Sequence, residues 1–138
     1  MKSRQTEILD AKDTLVLHAK RAQFCRLTER PYKNTAPIEI DQVIMVSGRA
    51  YLLHAVAMHE GQTTSRGHWY AYRRTWSTTE PTVANWWKCD NCSVTQVPPE
   101  DVLKKTKEAA LFLYRRRPRR VVCLWNSRPF WSAGEATL

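Results

Sequence analysis

No run in this 138-residue chain approaches the length needed to cross a membrane as a helix, and its first ten residues, MKSRQTEILD, hold no apolar stretch of the kind a secretory leader requires. The chain therefore reads as intracellular, in cytoplasm or nucleus, unless a leader has been removed. Cysteine is sparse as well. Cys25, Cys89, Cys92 and Cys123 do not make the dense framework of a small disulfide-rich domain, so in a reducing compartment they are thiols or metal ligands. Acidic residues are outnumbered, 13 against 22 Lys+Arg, which leaves a formal charge of +9. Much of that excess lies in Arg115, Arg116, Arg117, Arg119 and Arg120, around Pro118. Such a run could contact nucleic acid, an acidic protein or an import receptor, or could simply be solvated. No internal repeat is present.

What is there is strand-forming sequence, in the length of one domain and with 43% hydrophobic residues for a core. TLVLH (14–18) is a short apolar run, and PIEIDQVIMV (37–46) is rich in β-branched residues. SGR at 47–49 is a turn signal before YLLHAVAMH (51–59). Alternation puts Tyr51, Leu53, Ala55 and Ala57 on one face of that strand and Leu52, His54, Val56 and Met58 on the other. Both faces are largely apolar, so it should be an interior strand, with His54 a hydrogen-bonded core histidine. HWYAYRRTW (68–76) and TVANWWKCD (82–90) read as two more strands, PPEDVLKKTKEA as a short helix start, and ALFLY (110–114) as a closing strand. The expected fold class is α+β, mostly antiparallel β. A segment 1–12 precedes a folded unit over 13–115, and a basic, irregular tail follows over 116–138, where Trp125 and Trp131 have no assigned role.

If 68–76 and 82–90 form a hairpin with Trp76 opposite Thr82, then His68 falls opposite Asp90. Directly opposed Cβ atoms are about 4.5–5.5 Å apart, within reach of a carboxylate-to-imidazole hydrogen bond. A carboxylate so placed holds the ring in one tautomer and stabilises the imidazolium formed when it takes a proton. On this pattern alone the pair reads first as an ordinary surface contact across a hairpin.

The order of motifs adds to this. TLVLHAKRAQF (14–24), YLLHAVAMHEG (51–61), SRGHWYAYRR (65–74), WWKCDNCSV (86–94) and AALFLY (109–114) together resemble the C-terminal half of the ubiquitin-specific proteases, papain-like cysteine proteases that remove ubiquitin. The resemblance spans roughly residues 13 to 115. It implies the C-terminal sheet half of a papain-like fold, with His68 as general base, Asp90 as the carboxylate that orients it and Asn91 as a neighbouring polar residue. Loop 60–67 is similar to the family's blocking loop over the ubiquitin tail. Tail contacts then fall on His59, Gly61, Gly67 and Trp69, along a channel too narrow for any residue but glycine. His18 matches a scaffold position. The resemblance implies ubiquitin or its conjugates as partners and no cofactor or metal for catalysis.

One element of that pattern is missing. The family's nucleophilic cysteine sits in an N-terminal Gly-Asn-Thr-Cys-like box at a helix start, which lowers the thiol pKa and supplies oxyanion donors. No such box occurs here. Cys25 precedes His68 but lacks that context, and alternation turns Cys89 away from Asp90 as a packing thiol. The expectation is a deubiquitinase-like fragment, inactive without a cysteine-bearing half, whose sheet exposes the apolar patch that half would cover. Two other readings stay open. The chain could bind ubiquitin or another partner without cleaving, or it could be a zinc-stabilised nucleic-acid binder with Cys89, Cys92, His59 and His68 as ligands and the arginine run on phosphates.

Overall fold

Val43, Ile44 and Val46 before Gly48 and the apolar run from Tyr51 to Met58 after it pair as a hairpin whose second strand is the longest and the axis of the sheet. In the computed structural model, which describes residues 8–76 and 84–117, β4 (Val43–Val46) turns back through Ser47 and Gly48, both at positive φ, into β5 (Arg49–Glu60). Two residues at positive φ match the right-handed twist of the strands they join. The remaining elements are β1 (Thr14–His18), β2 (Ala22–Cys25), β3 (Arg30–Lys33), β6 (His68–Trp76), β7 (Ala84–Asp90), β8 (Ser93–Val97), α1 (Pro99–Leu103) and β9 (Ala109–Arg116). Seven strands form one antiparallel sheet in the order β1-β9-β5-β6-β7-β8, with β4 also paired to β5; β2 and β3 form a separate hairpin. The fold is mostly antiparallel sheet with one short helix, and β5 is interior.

Pairing of β5 with β9 slips by one residue between Leu53 and Ala55. A bulge of this kind reverses the phase of alternation. Tyr51 and Leu53 before it, and Val56 and Met58 after it, all point into the core at 0–1% exposure. The unbroken alternation expected along this strand is therefore corrected at His54. That histidine sits at the slip, half-buried, with its pKa lowered by burial first and then by Arg115, Arg73 and Arg74. Tyr70, Tyr72, Trp86, Phe112 and Tyr114 complete the core face, capped by Ile40 and by Val102 of α1. A five-residue helix has no stability of its own. Pro99 at its start and Glu100 and Asp101 in its first turn favour it, and fully buried Val102 contributes roughly 1.5–3 kcal/mol to holding it on the sheet.

The opposite face presents Val16, Leu111 and Val94 to solvent, and half-buried Cys89 lies between them in the row Leu111–Ala57–Ala71–Cys89–Val94. The strand at 37–46 is shorter than its sequence suggests: residues 34–42 run without regular structure and deliver Ile40 to the core. Three arginines of the run lie among the described residues. Arg115 and Arg116 belong to β9, Arg116 pairs with Asp13, and the Arg117 amide donates to the Ala50 carbonyl. Residues 118–138, with Trp125 and Trp131, and the first seven residues lie outside the described residues. Among the described residues no helix is long and apolar enough to cross a membrane.

Candidate functional site

The site is assembled where β5 ends and β6 begins. Gly67 comes so close to the end of β5 that a Cβ on it would lie 2.3 Å from His59 Nε2 and 2.4 Å from the Glu60 carbonyl oxygen. Gly61, at φ +133, closes the loop from the other side, where a Cβ would meet the Arg66 carbonyl and the Gly67 Cα, each at 2.9 Å. Between them residues 62–66 are exposed. Lys33 of β3 pins the base of this loop, its buried Nζ donating to the His59 and Gly61 carbonyls at 2.6 Å each. The His59 ring is buried against Trp69, with centroids 4.7 Å apart, and burial followed by the charge of Lys33 keeps its pKa low. A cleft of about 260 Å³ opens beside this stack, lined by His18, Lys20, Arg21, Lys33, His59 and Trp69.

Gly67→Ala should therefore destabilise the chain by roughly 1–3 kcal/mol, the usual cost of overpacking a filled site. Thermal denaturation reads the loss, and amide shifts confined to 59–69 would locate it. A variant as stable as the parent would show that the loop base yields freely.

His68 opens β6 on the core face of the sheet, two residues before Tyr70. Its register against β7 differs from the expected one. Ala71 pairs with Cys89 and Trp76 with Ala84, two positions from the pairing with Thr82, which lies outside the described residues. A shift of two preserves the faces. His68 and Asp90 are thus diagonal rather than directly opposite, and their side chains span the gap, Nε2 to Oδ1 at 2.5 Å. The imidazole is about two-fifths exposed and the carboxylate one-quarter. Lys88 Nζ holds the other carboxylate oxygen at 3.1 Å. The hydrogen bond from His68, and then that from Lys88, draw the Asp90 pKa below the usual carboxylate range; the Asp90 bond in turn raises Lys88. Tyr70 lies behind them, stacked on His68 at 6.2 Å, its hydroxyl donating to Glu108. Burial first, then that hydrogen bond, pushes the phenol pKa up.

The structure brings His68 and Asp90 together, and separately His59, Gly61, Gly67 and Trp69. The sheet divides the two sets: His68 and Asp90 project from the core face, His59 and Trp69 from the other. Asn91 forms the two-residue turn into β8 with Cys92, at φ 51, a conformation asparagine tolerates. Cys25 ends β2 at a hairpin turn, where hydrogen bonds from the Thr28 hydroxyl and then the Thr28 and Leu27 amides lower its pKa; no helix begins there. The expected alternative of a zinc site is corrected. Cys89 and His68 project from opposite faces, and among the described residues no group of three or more His, Cys, Asp or Glu side chains gathers to hold a metal. Lys33, Arg21 and Lys88 carry structure around the site, yet in the sequence they read as ordinary basic residues.

A family model described as ubiquitin carboxyl-terminal hydrolase matches residues 2–114. Among solved structures, the SAGA Ubp8/Sgf11/Sus1/Sgf73 DUB module is similar at 24% identity and a TM-score of 0.67, over 81% of this chain and 25% of that one. The same module bound to monoubiquitin matches at 24% identity and a TM-score of 0.65, over 77% of this chain and 24% of that one. The yeast SAGA DUB module with an Sgf73 mutant matches at 26% identity and a TM-score of 0.63, over 77% and 25%. This chain thus spans about a quarter of the length of the structures it resembles. Comparison with curated proteins gives no match.

Proposed function

Because this chain belongs to the ubiquitin carboxyl-terminal hydrolase family, we propose that it is the histidine-bearing portion of a ubiquitin-specific-protease-like deubiquitinase, completed by a cysteine-bearing half. The observation that carries this reading is the contact of His68 Nε2 with Asp90 Oδ1, 2.5 Å long, beside the exposed loop 61–67. With Nε2 engaged, Nδ1 is the nitrogen left to take a proton from a thiol. The thiolate attacks the carbonyl carbon of ubiquitin's terminal glycine. The imidazolium returns its proton to the leaving amine as the C–N bond breaks, and a thioester remains. Water, deprotonated by His68, then releases the free carboxylate and the thiol. Asp90 keeps its charge throughout and stabilises the imidazolium. Asn91 adds a polar group at the turn. His59, Gly61 and Gly67 shape the loop over the ubiquitin tail, and Trp69, 55% exposed, offers that tail an aromatic surface. No cofactor enters these steps.

The folded unit over 13–115 is assigned to this role, and ubiquitin or its conjugates are the proposed partners. One of the DUB modules with this fold is bound to monoubiquitin, which supports that assignment. A non-catalytic reading, binding ubiquitin without cleavage, is favoured by one observation: Cys25, Cys89 and Cys92 sit on strands and turns rather than at a helix N-terminus. A ubiquitin carrying an electrophile at its C-terminus separates the two. The chain alone should bind it without covalent labelling, and a family cysteine-bearing half added in trans should become labelled only in its presence. Labelling of one of the chain's own cysteines would overturn the incomplete-site reading; binding with no rescue of labelling in trans would favour the non-catalytic one.

A further inference from the structure

Two cationic or proton-donating side chains reach Asp90. Lys88 lies two positions earlier on β7 and so projects from the same face. Its Nζ meets Oδ2 at 3.1 Å while His68 Nε2 meets Oδ1 at 2.5 Å. The same ammonium lies over the Tyr70 ring, 4.6 Å from its centroid, and Tyr70 is anchored at its far end on Glu108. A lysine held between a carboxylate and an aromatic face has a defined position despite its 35% exposure. Among the described residues only His68 and Lys88 hydrogen-bond the Asp90 carboxylate.

We propose that Lys88 is a positioning residue for the His68–Asp90 pair: by holding Oδ2 it aims Oδ1 at the imidazole and so fixes which ring nitrogen carries the proton. This rests on the reading of His68 as general base. Two effects of Lys88 oppose each other in the charge state of His68. Its positive charge disfavours the imidazolium, while its grip on Asp90 strengthens the hydrogen bond that favours it. The tautomer of the neutral ring separates them, because both tautomers carry no net charge. An acceptor fixed at Nε2–H favours the form with Nδ1 unprotonated, the form able to accept a thiol proton. The other ionisable groups around His68 are Tyr70 beside it on β6, Glu60 opposite it on β5, and Glu108 through Tyr70.

The test uses the 138-residue chain with 15N-labelled histidine, observed by NMR at a pH where His68 is neutral. The parent should show predominantly the Nε2–H tautomer. In Lys88→Met the ratio of Nε2–H to Nδ1–H should fall by about threefold, the scale of a partly exposed ion pair, and Lys88→Arg, which keeps a charged donor, should restore it. Lys88→Gln gives the same readout should the methionine variant not fold. A ratio unchanged in Lys88→Met, or shifted equally by Lys88→Met and Lys88→Arg, overturns the proposal. Failure of the base reading looks different: the tautomer shift would persist while His68→Ala left trans-completed cleavage intact.

Discussion

Arg21→Ala is expected to lose about 3 kcal/mol of stability, seen as a melting temperature lower by roughly 15 °C. Arg21 is 7% exposed, and its guanidinium ties together segments far apart in sequence. Nε donates to the Ala109 carbonyl at 3.0 Å, Nη2 to Thr106 at 2.8 Å, and Nη1 to Asn34 at 3.2 Å and to Ala36. These bonds hold the β2–β3 hairpin and the chain that follows it against the start of β9. Each hydrogen bond from a charged donor is worth roughly 1.5–3 kcal/mol. The sum is not realised on truncation, because the Thr106 carbonyl keeps a second donor in the Ile38 amide, 3.0 Å away, and water can enter the gap. Arg21→Lys should recover less than half of the loss, since one ammonium cannot span four carbonyls arranged around a planar fork. Denaturant melts followed by tryptophan fluorescence measure both variants. A loss under about 1 kcal/mol would mean that the hairpin is held by its apolar contacts instead.

That staple also marks where sequence reasoning stops. Arg21 and Lys33 are two of 22 basic residues, and nothing in AKRAQF or RPYKN distinguishes a buried cation on carbonyls from a solvated one. The β2–β3 hairpin was illegible for the same reason: its strands are four residues each, with mostly exposed side chains and no glycine turn between them. β8, with SVTQV largely exposed at the edge of the sheet, was missed because it buries too little to impose a pattern. Where burial is heavy the sequence was informative. β5 and the closing strand β9 follow from their apolar runs, since a strand covered on both faces carries apolar residues throughout, β6 and β7 from their aromatic, strand-forming residues, and the short helix from its prolines and acidic first turn.

The geometry around His68 shows the same limit at finer scale. The register with Trp76 opposite Thr82 puts His68 and Asp90 on one face, and the observed shift of two residues leaves that conclusion standing because the period of a strand is two. The bulge at His54 is the opposite case. A slip of one reversed the inward face of β5 between Leu53 and Val56, and both options were apolar enough to look like core. The role of Lys88 is not legible in the sequence, because it depends on which oxygen of Asp90 the His68 contact leaves open.

In an enzyme completed by a cysteine-bearing half, His68→Ala should lower kcat/KM for a ubiquitin C-terminal amide by about 10³-fold or more, equivalent to roughly 4 kcal/mol of transition-state stabilisation. KM should change little, because the proton transfer made by Nδ1 exists in the transition state and not in the bound substrate. Stability should be nearly unaffected: the ring is about two-fifths exposed and belongs to no core cluster. Asp90→Asn should be milder, since an amide oxygen can still accept from Nε2–H while the charge that stabilises the imidazolium is lost. Its effect should also be larger for a peptide or isopeptide bond than for an activated ester, where the leaving group needs no proton. Steady-state kinetics on the two substrate classes separate these terms. A His68→Ala enzyme within tenfold of its parent on the amide would remove His68 from the proton path and leave the contact with Asp90 a structural one.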